Sequence, residues 1–195
     1  MTKLNDLLGE IRGCQICAEH LEHKPRPILS ADRNARLLIV GQAPGRRVHE
    51  SGVPWQDASG DVLREWLGLT PEQFYDEQLV ALVPLGFCYP GKGTSGDLPP
   101  RPECAPMWHP PLLASLKRVQ LTLLIGSYAQ AYYLKERTKP ALTETVIRFA
   151  EYLPRCFPLP HPSPRNRPWL AKNPWFSREL LPVLRKRVTK ILSGP

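Results

Sequence analysis

Four of the five cysteines form two pairs whose spacing suits metal or cluster binding. Cys14 and Cys17 are separated by two residues, and Cys88 and Cys104 by fifteen, within a Gly/Pro-rich segment. Four thiolates from two loops can hold a tetrahedral zinc ion or a [4Fe–4S] cluster, and the spacing does not choose between them. Disulfides and free buried cysteines are the alternatives, although disulfides are uncommon in chains without a secretion signal. Cys156 falls in a predicted strand, where we expect a small core residue.

The most distinctive segment is His161-Pro-Ser-Pro-Arg-Asn166, in which prolines fix the backbone. A fixed backbone aims the side chains of His161, Ser163 and Asn166. A histidine in such a loop can donate a hydrogen bond to a ligand oxygen that gains negative charge during a reaction. A purely structural loop histidine is the alternative.

Cations and one aromatic residue follow in the same loop, namely Arg165, Arg167, Trp169 and Lys172. This mixture suits a loop that binds phosphates and inserts a wedge into stacked bases. From Arg165 onward the chain has eight basic residues and one acid, so that this segment carries +7 of the net charge of +8. The segment predicts a surface that faces a polyanion, with a solvated helix face as the alternative.

A second turn, Gly41-Gln-Ala-Pro-Gly45, directly follows a predicted strand and allows close approach of its backbone to a ligand. It matches neither the dinucleotide nor the P-loop phosphate fingerprint. Trp55, held behind a proline, can stack on a base or belong to the core. Asp57 is the nearest carboxylate and a candidate for activating water; a helix cap or a surface acid is the alternative.

Size and composition indicate a single α/β domain over residues 1–195. The chain is 42% hydrophobic and 23% charged, and its 23 prolines predict stiffened loops around a compact core. No apolar run approaches the roughly 18 residues of a membrane span, and no signal pattern opens the sequence. We therefore expect a cytoplasmic protein without membrane contact.

Apolar runs alternate with helical patterns along the chain. Strands are predicted at 36–41, 79–84, 121–126 and 155–159, and helices at 4–11, 59–67 (with Ser59 as N-cap), 106–118, 127–137 and 174–192. The stretch 161–173 is predicted as a loop. This alternation predicts a three-layer α/β/α fold with a central four-stranded parallel sheet. The loops that follow the strands then share one edge, where ligands bind in such sheets.

Taken together, the two turns resemble the two signature motifs of the uracil-DNA glycosylase superfamily. The first turn, the tract 51–60 and the four cysteines are most similar to the family 4 enzymes, which carry a [4Fe–4S] cluster. The second turn, with Ser-Gly-Val-Pro before an aromatic residue, is closer to the single-strand-selective monofunctional uracil-DNA glycosylases. The resemblance implies that the cluster ligands are Cys14, Cys17, Cys88 and Cys104.

The resemblance also implies roles for individual residues. Gly41, Gln42 and Ala43 line the base and attacking-water side of the pocket, Trp55 stacks on the flipped base, and His161 stabilises the departing base anion. The loop 163–170 takes the place of the minor-groove wedge. The expected DNA-contacting residues are Ser163, Arg165, Asn166, Arg167, Trp169 and Lys172.

Three positions depart from the family pattern. Family 4 usually has Glu where this chain has Gln42, and Ala43 lacks the Asp or Asn side chain that activates water in several families. Pro84 stands where family 4 has an Asn that recognises the base edge. The implied function is a monofunctional, monomeric glycosylase that flips uracil or a related base out of DNA and hydrolyses its N-glycosidic bond. Alternatives are a glycosylase for another base, a non-catalytic DNA-binding module and a zinc-stabilised structural protein.

Overall fold

The computed structural model describes residues 3–194 and has a central four-stranded parallel sheet. The strands are β1 (Leu37–Val40), β2 (Val80–Leu82), β3 (Leu121–Ile125) and β4 (Cys156–Leu159). Their order in the sheet is β2-β1-β3-β4, and every neighbouring pair is parallel. The predicted sheet is confirmed, with each strand slightly shorter than its sequence pattern.

The helices of the described residues precede, connect and follow these strands. They are α1 (Lys3–Arg12), α2 (Arg46–Ser51), α3 (Ala58–Leu67), α4 (Pro71–Tyr75), α5 (Cys104–Ser115), α6 (Gly126–Leu134), α7 (Leu142–Ile147), α8 (Arg167–Lys172) and α9 (Leu181–Ser193). A π-helical stretch, Phe176–Leu180, leads into α9. None of them combines the length and apolar character needed to cross a membrane.

Both faces of the sheet are covered, as the alternation of side chains in β1 illustrates. Leu38 and Val40 belong to one buried cluster, which includes residues of α1, α5 and α6. Leu37 and Ile39 belong to a second cluster, which includes residues of α3 and α9. Because successive strand residues point to opposite faces, two separate cores form, one on each side of the sheet. The three-layer architecture is thereby confirmed.

The strand order creates a crevice at one edge of the sheet. From β1 the chain passes to β2 on one side, and it then returns to place β3 on the other side of β1. In open α/β sheets, ligands bind at the carboxyl ends of strands where the order reverses in this way. The turn that starts at Gly41 leaves β1 at this point, and the loop that contains His161 leaves the nearby β4 at the same edge.

Several predicted element boundaries are wrong. Asp57 rather than Ser59 caps α3, because its side chain accepts the hydrogen bond of the Gly60 amide. The helix predicted from Pro106 already begins at Cys104 and continues through two internal prolines. The predicted loop 161–173 contains α8, and three short helices, α2, α4 and α7, were not predicted. Short helices that leave little apolar periodicity escape detection from sequence.

Candidate active site

The two motif turns lie at the same edge of the sheet and line one cavity of about 470 Å³. Residues 41–45 line it after β1, Pro84 and 95–98 after β2, Tyr128 after β3, and His161 with Ser163, Arg165 and Asn166 after β4. Residues following all four strands therefore converge on one chamber, which is large enough for a single nucleobase. The predicted convergence of the turns is confirmed for these residues.

Trp55 forms one wall of the cavity and has an unusual backbone. Its φ of 58° lies in the left-handed region, which few bulky residues adopt. Two glycines accommodate it: a Cβ on Gly41 would lie 2.8 Å from the indole, and a Cβ on Gly60 would overlap the Trp55 carbonyl oxygen. The indole also lies near His161, with 5.8 Å between ring centroids. Such strain at a cavity wall is typical of functional sites.

The need for a glycine at position 60 can be tested directly. Gly60→Ala is expected to displace the backbone of Trp55 and to lower the free energy of unfolding by about 1–3 kcal/mol, as overpacking does. The matched control is Gly9→Ala in α1, where an added Cβ meets no atom within 4 Å. The control should be neutral or stabilising by up to about 1 kcal/mol. Denaturant titration of both variants checks this, and equal stability of the two would contradict the packing described.

His161 is partly buried and is held in one tautomer. Burial lowers the pKa of His161 from its ordinary value, while the carboxylates of Asp57 and Asp97 act in the opposite direction. Nδ1 of His161 accepts a hydrogen bond from the Ser163 amide at 3.1 Å, so the neutral ring carries its proton on Nε2. Asn166 donates to the His161 carbonyl at 2.7 Å and supports the loop. His161 can therefore donate through Nε2 to a ligand oxygen.

Two carboxylates line the cavity. Asp57 accepts the Gly60 amide at 2.9 Å through Oδ1, which makes it the N-cap of α3, and it also borders the cavity. The capping interpretation is thus correct and is compatible with a second role for the same side chain. Asp97 was missed by sequence analysis. It lies in the Gly/Pro-rich segment between Cys88 and Cys104, where no local pattern distinguishes it.

Both motif turns hold the segment 95–98, which forms another wall. Gln42 Nε2 donates to the Leu98 carbonyl at 3.3 Å, and an Arg165 guanidinium nitrogen donates to the Ser95 carbonyl at 3.0 Å. Both side chains were predicted to contact the base or DNA. In this structure they bind backbone oxygens of the cavity wall, partners that a sequence pattern cannot reveal.

The remaining predicted DNA contacts lie on α8, outside the cavity lining. Trp169 donates through Nε1 to Thr143 Oγ1 at 2.8 Å and packs against Phe176, with ring centroids 5.6 Å apart. The indole is therefore packed against neighbouring side chains in this structure, and its contact with DNA stays a prediction. Arg167 and Lys172 are exposed, and their contact with phosphates stays a prediction.

The basic C-terminal helix leads away from the cavity. Arg36, which precedes β1, donates to the carbonyl of Leu192 at 2.7 Å and also to that of Gly194. The end of α9 therefore lies at the edge where the strands begin, opposite the cavity. Arg185 is directed to the Trp66 carbonyl, at 3.2 Å. The end of α9 is therefore distant from the cavity, and the role of the basic segment in facing a polyanion stays a prediction.

The four paired cysteines, Cys14, Cys17, Cys88 and Cys104, surround a second, smaller cavity. The Phe87 amide donates to the Cys104 sulfur at 3.4 Å. Burial raises the pKa of Cys88 to about 11 and that of Cys104 to about 12, so both stay protonated unless a cation stabilises the thiolates. Within residues 3–194, no three His, Cys, Asp or Glu side chains come close enough to hold a single metal ion.

Comparison with known proteins adds three findings. The family model for the uracil DNA glycosylase superfamily matches residues 28–185. The type-4 uracil-DNA glycosylase of Archaeoglobus fulgidus is 33% identical over 78 residues, which is 38% of this chain and 39% of that relative. The solution NMR structure of a candidate uracil DNA glycosylase from Methanosarcina acetivorans superposes with a TM-score of 0.45 and 18% identity, covering 83% of this chain and 98% of the other.

Proposed function

Since the chain belongs to the uracil DNA glycosylase superfamily, we propose that it binds a uracil-like base flipped out of DNA and hydrolyses its N-glycosidic bond, leaving an abasic site. The observation that best supports this is the convergence of both motif turns, Trp55 and His161 on one base-sized cavity. Flipping a base costs a few kcal/mol, which stacking in such a cavity offsets.

The reaction needs a group that stabilises the departing base. As the bond between C1′ and the base nitrogen breaks, the electron pair goes to the base, which becomes an anion. We assign its stabilisation to Nε2–H of His161, which donates to a base carbonyl oxygen. A neutral imidazole suits this task because its Nδ1 remains free to accept the Ser163 amide. Trp55 stacks on the face of the base.

The reaction also needs a water molecule, and Ala43 has no group to activate it. We assign this role to Asp57, whose carboxylate borders the cavity. Oδ1 caps α3, and Oδ2 is the oxygen that would accept a proton from water as the water oxygen bonds to C1′. The products are an abasic sugar and the released base. The cavity lining contains no lysine, which favours a monofunctional enzyme without strand cleavage.

DNA contact is proposed for the loop after β4 and for α8. Ser163, Arg165 and Asn166 lie at the cavity, and Arg167 with Lys172 extends the surface. Arg165 is the long side chain of this loop at the cavity, and we assign to it the filling of the space that the flipped base leaves. The monomeric state and the cytoplasmic location stay predictions.

We further propose that Cys14, Cys17, Cys88 and Cys104 bind a [4Fe–4S] cluster. All four cysteines border one cavity, and within residues 3–194 no three of them are arranged to hold a single metal ion. A cubane cluster binds each thiolate at a different iron atom, so it accepts thiolates that lie farther apart than the ligands of a single zinc ion. When bound, the cluster would cross-link the N-terminal segment to the segment 88–104.

The cluster proposal predicts a coloured protein. Protein prepared without oxygen should be brown and contain about four irons per chain. Cys88→Ser should lose the visible absorbance and melt at a lower temperature, while Cys156→Ser, in β4 outside the cysteine cavity, should keep both. A colourless protein with one zinc per chain would instead support the zinc alternative.

The second candidate function is excision of a base other than uracil. Pro84 lines the cavity where an amide side chain would recognise the base edge, and the cavity volume of about 470 Å³ also admits a purine. Single-lesion oligonucleotides carrying uracil, hypoxanthine, xanthine or a modified pyrimidine, read as alkali-revealed breaks, separate the two candidates. A non-catalytic DNA-binding module would bind all of them, with affinity falling steeply in salt, and leave no breaks.

Pro84→Asn provides a matched test of base recognition. An amide at this position can pair with the edge of uracil, so the variant should shift the ratio of uracil to hypoxanthine excision towards uracil by about tenfold or more. An unchanged ratio would show that position 84 does not set the base preference.

A further inference from the structure

His109 is a buried side chain that no step of the proposed reaction uses. It lies on α5, is 1% exposed, and stacks on Phe87 with ring centroids 5.6 Å apart and planes 11° from parallel. Burial lowers the pKa of His109 to about 4, so the ring is neutral at pH 7. A polar ring at this depth needs partners for both nitrogens.

Both nitrogens of His109 have partners, and these fix the direction of each hydrogen bond. Nε2 lies 3.0 Å from the carbonyl oxygen of Pro84, which can only accept, so Nε2 carries the proton. Nδ1 then accepts from the hydroxyl of Tyr133 at 2.6 Å. The result is a directed chain from Tyr133 through His109 to the backbone of Pro84.

The end of this chain lies at the cavity. Pro84 lines the cavity, whereas His109 does not, so the Pro84 carbonyl is directed away from the cavity. The next two amides continue the contact with the first motif turn: Leu85 donates to the Gly41 carbonyl and Gly86 to the Gln42 carbonyl, each at 3.0 Å. His109 thus binds the segment 84–86 on the side away from the cavity, and the first motif turn is hydrogen-bonded to this segment.

We propose that His109 is a positioning residue, which, with Tyr133, holds the 84–86 segment and thereby the Gly41–Gln42 backbone in place for base excision. The effect on excision rests on the proposed function; the effect on the backbone does not. Small displacements of reacting groups cost large factors in rate, so loss of the anchor should reduce excision without removing any group that touches the base.

Three variants separate positioning from general stability. His109→Leu replaces the ring with an apolar side chain and so loses both hydrogen bonds. His109→Gln can donate to Pro84 through Nε2 and accept from Tyr133 through Oε1. Tyr133→Phe removes only the hydroxyl, and it tests the same chain of hydrogen bonds if His109→Leu does not fold. Each is measured for single-turnover excision, DNA affinity, melting temperature and amide hydrogen exchange.

A positioning role for His109 predicts a specific pattern of excision rates, DNA affinities and amide exchange. His109→Leu should slow excision by about tenfold to a hundredfold and leave the dissociation constant for DNA within about twofold, and His109→Gln should restore the rate to within about threefold. Exchange of the Leu85 and Gly86 amides should accelerate in His109→Leu by about tenfold or more, while the amides within β3 keep their protection.

Other patterns overturn the proposal. One is a folded His109→Leu or Tyr133→Phe variant that keeps the wild-type amide exchange and excision rate. The other is an equal loss of excision rate in His109→Leu and His109→Gln. If the wild-type chain excises no base, the proposed function fails, and the exchange of Leu85 and Gly86 still decides whether His109 anchors the segment.

Discussion

His161→Ala is expected to slow single-turnover excision by about a hundredfold or more. The substitution removes the Nε2–H donor that we assign to the departing base. Because the backbone of this loop is held by Asn166 and by its prolines, binding of lesion-containing DNA should change far less than the rate. Rapid-quench measurement of abasic-site formation under saturating enzyme checks this.

The control for this experiment is His20→Ala, since His20 is exposed and lies outside the cavity lining. It should excise at the wild-type rate. His161→Gln, which retains an amide donor at the position of Nε2, should recover part of the loss. Excision by His161→Ala within about threefold of wild type would remove His161 from the reaction.

Asp57→Asn is expected to slow excision by about a hundredfold, within the range for loss of general base catalysis. Asn is as good a helix N-cap as Asp, so the hydrogen bond to the Gly60 amide should persist and α3 should keep its stability. The variant therefore removes the negative charge of Asp57 and little else. Single-turnover rates with uracil-containing DNA, together with melting temperatures, separate the two roles.

Asp61→Asn is the matched control, because Asp61 lies on the same helix with its side chain 71% exposed. It should leave the rate unchanged. Asp97→Asn tests the other cavity carboxylate. If Asp97→Asn were the slow variant and Asp57→Asn the fast one, the proton acceptor would have to be reassigned; if both were fast, the reaction would need no carboxylate.

The sheet and the meeting of the two turns were accessible from sequence because each rests on a strong local pattern. Buried strands such as β1 are continuous apolar runs that end in glycine, and parallel strands bring the loops that follow them to one edge. Gly41 and His161 could therefore be placed together without knowing any contact. The order of the strands, by contrast, leaves no local trace, and only the structure shows that β1 lies between β2 and β3.

What escaped prediction depends on contacts between distant residues. The charge of α9 suggested DNA binding, but the helix ends beside Arg36, at the edge where the strands begin. The hydrogen bond of Trp169 to Thr143 also has no trace in the sequence. Asp97 and His109 have no motif around them, and their importance comes from a cavity and from backbone carbonyls that the sequence does not describe.

The most direct test of the account is to identify the molecule released from a single-lesion oligonucleotide by mass spectrometry. We predict that the wild-type chain releases one equivalent of free base, leaves the strand intact until alkali is added, and does so at least about a hundredfold faster than His161→Ala. Tight binding to every lesion in the panel with no free base from any of them would contradict the assignment of the cavity as a glycosylase active site.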